Sequence, residues 1–151
     1  MGLPRTVADV MTRKVVTVAP KDTIAQLEDG MQRFRLRHMP VVDDGKLVGL
    51  VTMRDVLHAL STNLSAQEEQ RNLIIRAQPV SRIMQRDLVT VGPDEPLLGA
   101  AHTMWDRKLG CLLVTEGTDT LVGIVTEADF IRVVIKLLTG GEPPPPPSTR
   151  L

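Results

Sequence analysis

Hydrophobic and polar positions along this chain follow two periods, and each period occurs twice. Val15-Val16-Thr17-Val18 and Leu88-Val89-Thr90-Val91 are short β-branched runs closed by Pro20 and Pro93, which predicts strands. Downstream, Ile24, Leu27, Met31 and Phe34 recur at steps of three and four, the apolar face of a helix that Asp22 or Thr23 can cap. Leu97, Ala100 and Met104 repeat that face, with Pro96 expected at the first helical position. Residues 38–52, HMPVVDDGKLVGLVT, and residues 111–126, CLLVTEGTDTLVGIVT, then read as strand, turn and strand. An apolar helix follows the Thr that closes each segment. The predicted order is strand, helix, strand, strand, helix, twice over.

The recurrence is a sequence repeat as well as a pattern. Val7 matches Val80, Met11 matches Met84, Thr17 matches Thr90 and Pro20 matches Pro93 at a constant offset of 73, which becomes 74 by Gly49 and Gly123. One extra residue therefore sits in the second turn, where a loop accommodates it. The expected organisation is a first repeat over residues 1–62, a linker helix over 63–78, a second repeat over 79–138 and a disordered proline-rich tail over 139–151. Ser65 and Glu68 have capping-box spacing for the linker helix, and the five prolines of the tail favour an extended, unpacked conformation. The fold class is mixed α/β (α+β), two β-α-β-β-α repeats.

Composition narrows the function. A chain of 151 residues can bury roughly two-thirds of its unfolded surface. Its aromatic residues are Phe34, Phe130 and Trp105, so the core is aliphatic. The net charge is zero, and neither a basic groove nor the aromatic platforms used by single-strand binders are visible, which argues against nucleic acid and an anionic membrane as partners. Asp9 interrupts the place of a signal peptide and the lone Cys111 has no internal disulfide partner, so a cytoplasmic protein is expected. Phe130 to Leu138 is too short, and too broken by Arg132 and Lys136, to span a bilayer. His38, His58 and His102 show no metal-ligand spacing, and no nucleophile, phosphate-loop or dinucleotide motif suggests catalysis.

Two four-residue motifs stand out. Thr52-Met53-Arg54-Asp55 and Thr126-Glu127-Ala128-Asp129 each join a strand to an apolar helix. Thr with an acid three residues on is a capping box, the Thr accepting from a free helix N–H and the acid reaching back. A helix start also attracts anions, because its unpaired N–H groups point outward. Spacing leaves both readings open.

With these motifs in place, the duplicated unit resembles a tandem pair of CBS domains, also called a Bateman module, over residues from about 6 to 138. The resemblance implies a pseudo-twofold pair that senses adenine nucleotides, AMP, ADP, ATP or S-adenosylmethionine, with or without magnesium, in clefts between the repeats. It implies that Asp55 and Asp129 hold ribose hydroxyls, with Thr52 and Thr126 near the phosphates. Arg37 and His38 are the basic residues expected at phosphates, joined by Arg54 and by Arg33 and Arg35 nearby. Gly110 and Cys111 stand at the equivalent places in the second repeat, and Leu113 replaces Pro40, so the two clefts should differ. Thr17 and Thr90 match positions that reach base or phosphate, and backbone groups near Leu36 to Met39 and Leu109 to Leu112 are expected to read the adenine edge.

The resemblance further implies a non-catalytic regulatory module, a homodimer formed through helices, and an effector protein that receives the signal. Val56, Leu57, Leu60, Ile131, Val134 and Ile135 are the candidates for the dimer contact. The alternative is a structural interaction module without a nucleotide ligand, in which Thr-x-x-Asp is only a cap.

Overall fold

The protein is described from a computed structural model, over residues 2–61, 63 and 65–141. Of these, residues 16–88 form one compact unit, and residues 2–15 together with 89–141 form another. The partition is not that of the sequence repeats: residues 2–15 belong with the second repeat, and the lead of the second belongs with the first.

In the unit of residues 16–88, α1 (Ile24–Phe34) starts at Thr23, whose Oγ1 accepts from the Gln26 amide while Gln26 Oε1 accepts from the Thr23 amide. Asp22 instead closes the preceding turn by accepting from the Ala19 amide. Ile24, Leu27 and Met31 of α1 are buried, but Phe34 is exposed. It is the last helical residue before Arg35 turns left-handed, and the Arg33 guanidinium lies over its ring. The antiparallel hairpin of β1 (His38–Asp43) and β2 (Lys46–Thr52) follows, with a turn in which Asp44 and Gly45 both take positive φ. That is the backbone the Asp-Gly pair favours. Then come α2 (Met53–Ala59), the exposed linker helix α3 (Ala66–Arg76) and a 3-10 turn, Val80–Arg82. Ser65 caps α3 by accepting from the Glu68 amide, but the expected box is only half made, because the Ser65 amide donates to Asn63 Oδ1 instead of to the Glu68 side chain.

The strand expected at residues 15–18 shrinks to one parallel bridge, Val18 to Val41. Val18 donates its N–H to the Pro40 carbonyl and accepts from the Val42 N–H, but Pro40 has no N–H to donate to the Val16 carbonyl, so the ladder cannot extend back along the chain. The second copy carries Leu113 at that place, and a two-residue strand forms.

In the other unit a 3-10 turn (Val7–Asp9) leads to β3 (Thr90–Val91), α4 (Leu97–Arg107), β4 (Cys111–Glu116), β5 (Thr120–Thr126) and α5 (Glu127–Thr139). The strand β3 runs parallel to β4, and β4 is antiparallel to β5. Pro96, expected at the first helical position, instead occupies the N-cap of α4, one residue before its first helical residue Leu97. The helix α5 runs through Thr139, and Gly140 ends it with φ of 64°. The expected tail therefore starts later than residue 139, and its residues 142–151 lie outside the described residues.

Hydrogen bonds fasten each borrowed lead. Val7 and Ala8 donate to the Glu95 and Pro93 carbonyls, and Thr12 exchanges two bonds with Ile124 at 2.9 and 3.0 Å. Equivalently, Val80 and Ser81 donate to Asp22 and Pro20, and Gln85 exchanges two with Leu50 at 2.8 and 3.0 Å. These leads bring Met11 against Gly123 and Met84 against Gly49. A Cβ at Gly123 would lie 2.6 Å from the Met11 sulfur, and one at Gly49 would lie 2.7 Å from the Met84 sulfur. Glycine is required there by close approach, since neither has positive φ. Val7 and Val80 are fully buried in the two aliphatic cores, with Val91, Leu112 and Val125 in one and Leu27, Val41 and Val51 in the other.

Candidate functional site

Both Thr-x-x-Asp motifs fold as capping boxes. Thr52 has extended backbone (φ −109°, ψ 160°), so the chain passes from β2 into α2 at that residue. Its amide donates to Asp55 Oδ2 at 2.8 Å, its hydroxyl donates to the same oxygen at 3.0 Å, and its Oγ1 accepts from the Asp55 amide at 3.2 Å. Asp55 is half-buried. Its carboxylate also meets the Gln85 side chain, whose Nε2 is 3.2 Å from Oδ1 and 3.0 Å from Oδ2.

In the other unit the Thr126 amide donates to Asp129 Oδ2 at 2.8 Å, with the Thr126 hydroxyl 3.4 Å from that oxygen. Asp129 is only 6% exposed. Burial raises its carboxyl above the ordinary value, opposed by the Thr126 N–H and by Arg132, whose Nη1 lies 3.5 Å from Oδ1. Asp129, Arg132 and Lys136 line a cleft of about 570 Å³ with Asp9, Val10 and Met11.

The hairpin of residues 38–52 brings other expected residues to the head of α2. His38 pairs with Thr52 and Met39 with Val51, while the Arg37 carbonyl accepts from the Met53 amide at 2.8 Å. Arg37 and Arg54 are exposed, as a phosphate contact requires. Met39 is 2% exposed, so its side chain belongs to the core and only its backbone can meet a ligand. Thr17 is exposed beside Val18, next to Pro40 on β1. In the second copy, Cys111 pairs with Thr126 and the Gly110 carbonyl accepts from the Glu127 amide at 3.3 Å. Thr90 is exposed opposite Leu113. Cys111 is buried, and burial pushes its thiol up to about 12, so it stays a neutral thiol and offers no charge.

Two polar partners were not expected from the sequence. Arg132 had a local signal, its spacing of three from Asp129 along a helix. Gln85 had none, because thirty residues separate it from Asp55. Val56, expected at a dimer contact, is 1% exposed and packs in the core. Leu57, Ile131 and Val134 remain exposed, at 59, 60 and 50%. A groove of about 910 Å³ between α4 and α5 adds Leu98, Trp105 and Phe130 to the apolar surface of the second unit. No helix of the described residues is long and apolar enough to cross a membrane.

Comparison with known proteins agrees with this arrangement. The chain is 35% identical over 129 residues, 85% of its length, to a homoserine O-acetyltransferase of Methanococcoides burtonii, but covers only 24% of that protein. It spans 24–45% of the length of several curated relatives. A crystal structure described as a putative acetoin utilization protein (AcuB) from Vibrio cholerae superposes with a TM-score of 0.77 at 32% identity, covering 94% of this chain and all of that one. The CBS domain pair of protein MJ0100, solved in complex with 5′-methylthioadenosine and S-adenosyl-L-methionine, superposes with a TM-score of 0.73 at 26% identity, covering 89% of this chain and 99% of that one. With the CBS domain matched over residues 7–62 and again over 80–136, one on each repeat, the chain belongs to the CBS domain family.

Proposed function

We propose that this chain is a non-catalytic regulatory module that binds an adenosine compound, AMP, ADP, ATP or S-adenosylmethionine, with Asp55 and Asp129 receiving the ribose hydroxyls. The observation that carries the reading is how each carboxylate is used. A capping box needs one carboxylate oxygen, and in both motifs that oxygen is Oδ2, held by the Thr amide. Oδ1 takes no part in the cap and is left to a side-chain donor, Gln85 at 3.2 Å, whose amide also reaches Oδ2 at 3.0 Å, or Arg132 at 3.5 Å. A cap that also presents an acceptor outward suits a vicinal diol, which donates two hydroxyl hydrogens. Further support comes from the adenosine compounds bound to the related MJ0100 pair.

Thr52, Thr126, Arg37, His38 and Arg54 are assigned to the phosphates, Thr17 and Thr90 to base or phosphate, and the backbone around Met39, Gly110 and Cys111 to the adenine edge. Magnesium joins a polyphosphate ligand in this scheme. The two sites differ: one has exposed arginines at its rim, and the other has Gly110 and Cys111 at the same places. The signal passes through a changed arrangement of a homodimer to an effector protein, and the exposed apolar residues of α4 and α5 supply the dimer surface. Boundaries of the repeats at 1–62 and 79–138 remain assigned by sequence, in a cytoplasmic protein.

The test is a thermal-shift panel on nucleotide-stripped protein with AMP, ADP, ATP with and without magnesium, S-adenosylmethionine, NAD and GTP. Ligand at a hundred times its dissociation constant adds about 2.7 kcal/mol to the stability of a state that alone binds it. A rise in melting temperature confined to adenosine compounds and lost in Asp55→Asn or Asp129→Asn is expected. Folded protein that responds to none of them refutes the reading in favour of a structural interaction module, and light scattering of the same samples reads the dimer.

A further inference from the structure

We propose that Gln85 is an internal competitor for the Asp55 carboxylate, its amide holding in the ligand-free protein the acceptor positions that a ribose diol takes. The inference rests on the assignment of Asp55 to the ribose and adds to it the residue that sets the affinity of that site.

The geometry is specific. Gln85 Nε2 lies 3.2 Å from Oδ1 and 3.0 Å from Oδ2, so one NH2 group spans both oxygens, as two neighbouring hydroxyls do. The backbone of Gln85 cannot follow its side chain away. Its N–H donates to the Leu50 carbonyl at 2.8 Å and its carbonyl accepts from the Leu50 N–H at 3.0 Å, while the preceding Met84 packs on Gly49. The side chain alone moves, by rotation about its own bonds. It is exposed, so the displaced amide is rehydrated and the exchange is reversible at modest cost.

The second motif lacks this device. Thr12 is the repeat equivalent of Gln85 and makes the same two backbone bonds, to Ile124. Its side chain is too short to span a carboxylate as the Gln amide does. Asp129 meets Arg132 of its own helix instead, a charged partner at 3.5 Å from Oδ1. The two sites therefore differ in what a ligand must displace, a neutral amide from a neighbouring segment in one and nothing from that segment in the other.

The test is calorimetric titration of Gln85→Thr, which installs the residue of the second repeat, and of Gln85→Ala, each in an Asp129→Asn background that leaves the Asp55 site to be read. AMP and S-adenosylmethionine bind both variants roughly three- to thirty-fold more tightly than the Gln85 parent, the range given by a hydrogen bond to a charged group less its partial rehydration. The gain is absent for 2′,3′-dideoxyadenosine monophosphate, which has no diol to compete, and is lost when Asp55→Asn is added. Equal or weaker binding of AMP by both variants, with the parent still dependent on Asp55, overturns the competitor and leaves the ribose assignment standing. Binding of AMP that ignores Asp55→Asn, or no binding by any of these proteins, overturns the assignment and the competitor together. Both variants keep the paired backbone of residue 85, and their circular dichroism confirms the fold.

Discussion

Alanine at Gly123 is a sharp test of how the lead segment of the first repeat is seated. The added Cβ meets the Met11 sulfur at 2.6 Å, Met11 Cγ at 3.0 Å and the Thr12 carbonyl oxygen at 3.1 Å. Met11 is 8% exposed, so its sulfur has little room to retreat, and the Thr12 carbonyl is tied to the Ile124 amide. Overpacking of this kind costs about 1–3 kcal/mol, offset by about 0.4–1 kcal/mol because alanine restricts the unfolded chain. The net loss, up to about 2.6 kcal/mol and centred at about 1.3 kcal/mol, lowers the melting temperature by roughly 3–5 °C at that centre in a chain of this size. Gly99 is the control. It lies in α4 with nothing within 4 Å of an added Cβ, so Gly99→Ala raises stability by about 0.5–1 kcal/mol. The double variant Gly123→Ala with Met11→Ala, in which the clashing sulfur is gone, loses less than the sum of the two single changes, by about 0.5–3 kcal/mol. Denaturant melts read all four proteins. A neutral or stabilising Gly123→Ala, or strict additivity with Met11→Ala, refutes the seating.

Burial raises the Asp129 carboxyl above its ordinary value of 3.8, so the folded state holds that proton more tightly than the unfolded one. The contribution of Asp129 to stability is thus largest below that value and falls as pH rises through the folded one. Asp129→Asn keeps an acceptor for the Thr126 N–H and does not titrate, so its stability gains on the wild type as pH rises above the ordinary carboxyl value of 3.8. Paired melts across that range contradict the assignment if the gap widens the other way. The Cys111 thiol, buried and pushed up to about 12, resists a thiol reagent at pH 8 in native protein and reacts on unfolding. Rapid native labelling refutes its place in β4.

Where the fold was legible in the sequence, the cause was local. Thr23, Asp44-Gly45 and the two Thr-x-x-Asp boxes act within four residues and form as their spacing predicts, while at Ser65 the cap forms without the return bond from Glu68. The strand at residues 15–18 failed because its register depends on a proline more than twenty residues away, on β1. Phe34 fits a helix period but sits where the helix stops, and the period cannot say which turn still faces the core. Val56 and Leu57 are adjacent apolar residues, one buried and one exposed, which composition does not separate. The repeat offset identified equivalent segments without saying which half each packs against, so the exchanged leads were invisible. For the same reason the cap at Asp55 was legible and its contact with Gln85 was not, since a capping motif is read from four residues and a partner thirty residues on is not.

The exchange of leads has a consequence for how this chain is made. Synthesis runs from the N-terminus, yet residues 16–62 lack Val80 and the Gln85 pairing until residue 88 has emerged. Residues 7–12 wait longer still, because Ile124, their partner, is among the last of the fold to be translated. Within this fold, the segment made first is thus among the last to be seated. A ribosome that stalls at the end of the first repeat holds a chain with an open core, and the first half cannot become a finished object on its own. Completion of the second half closes both.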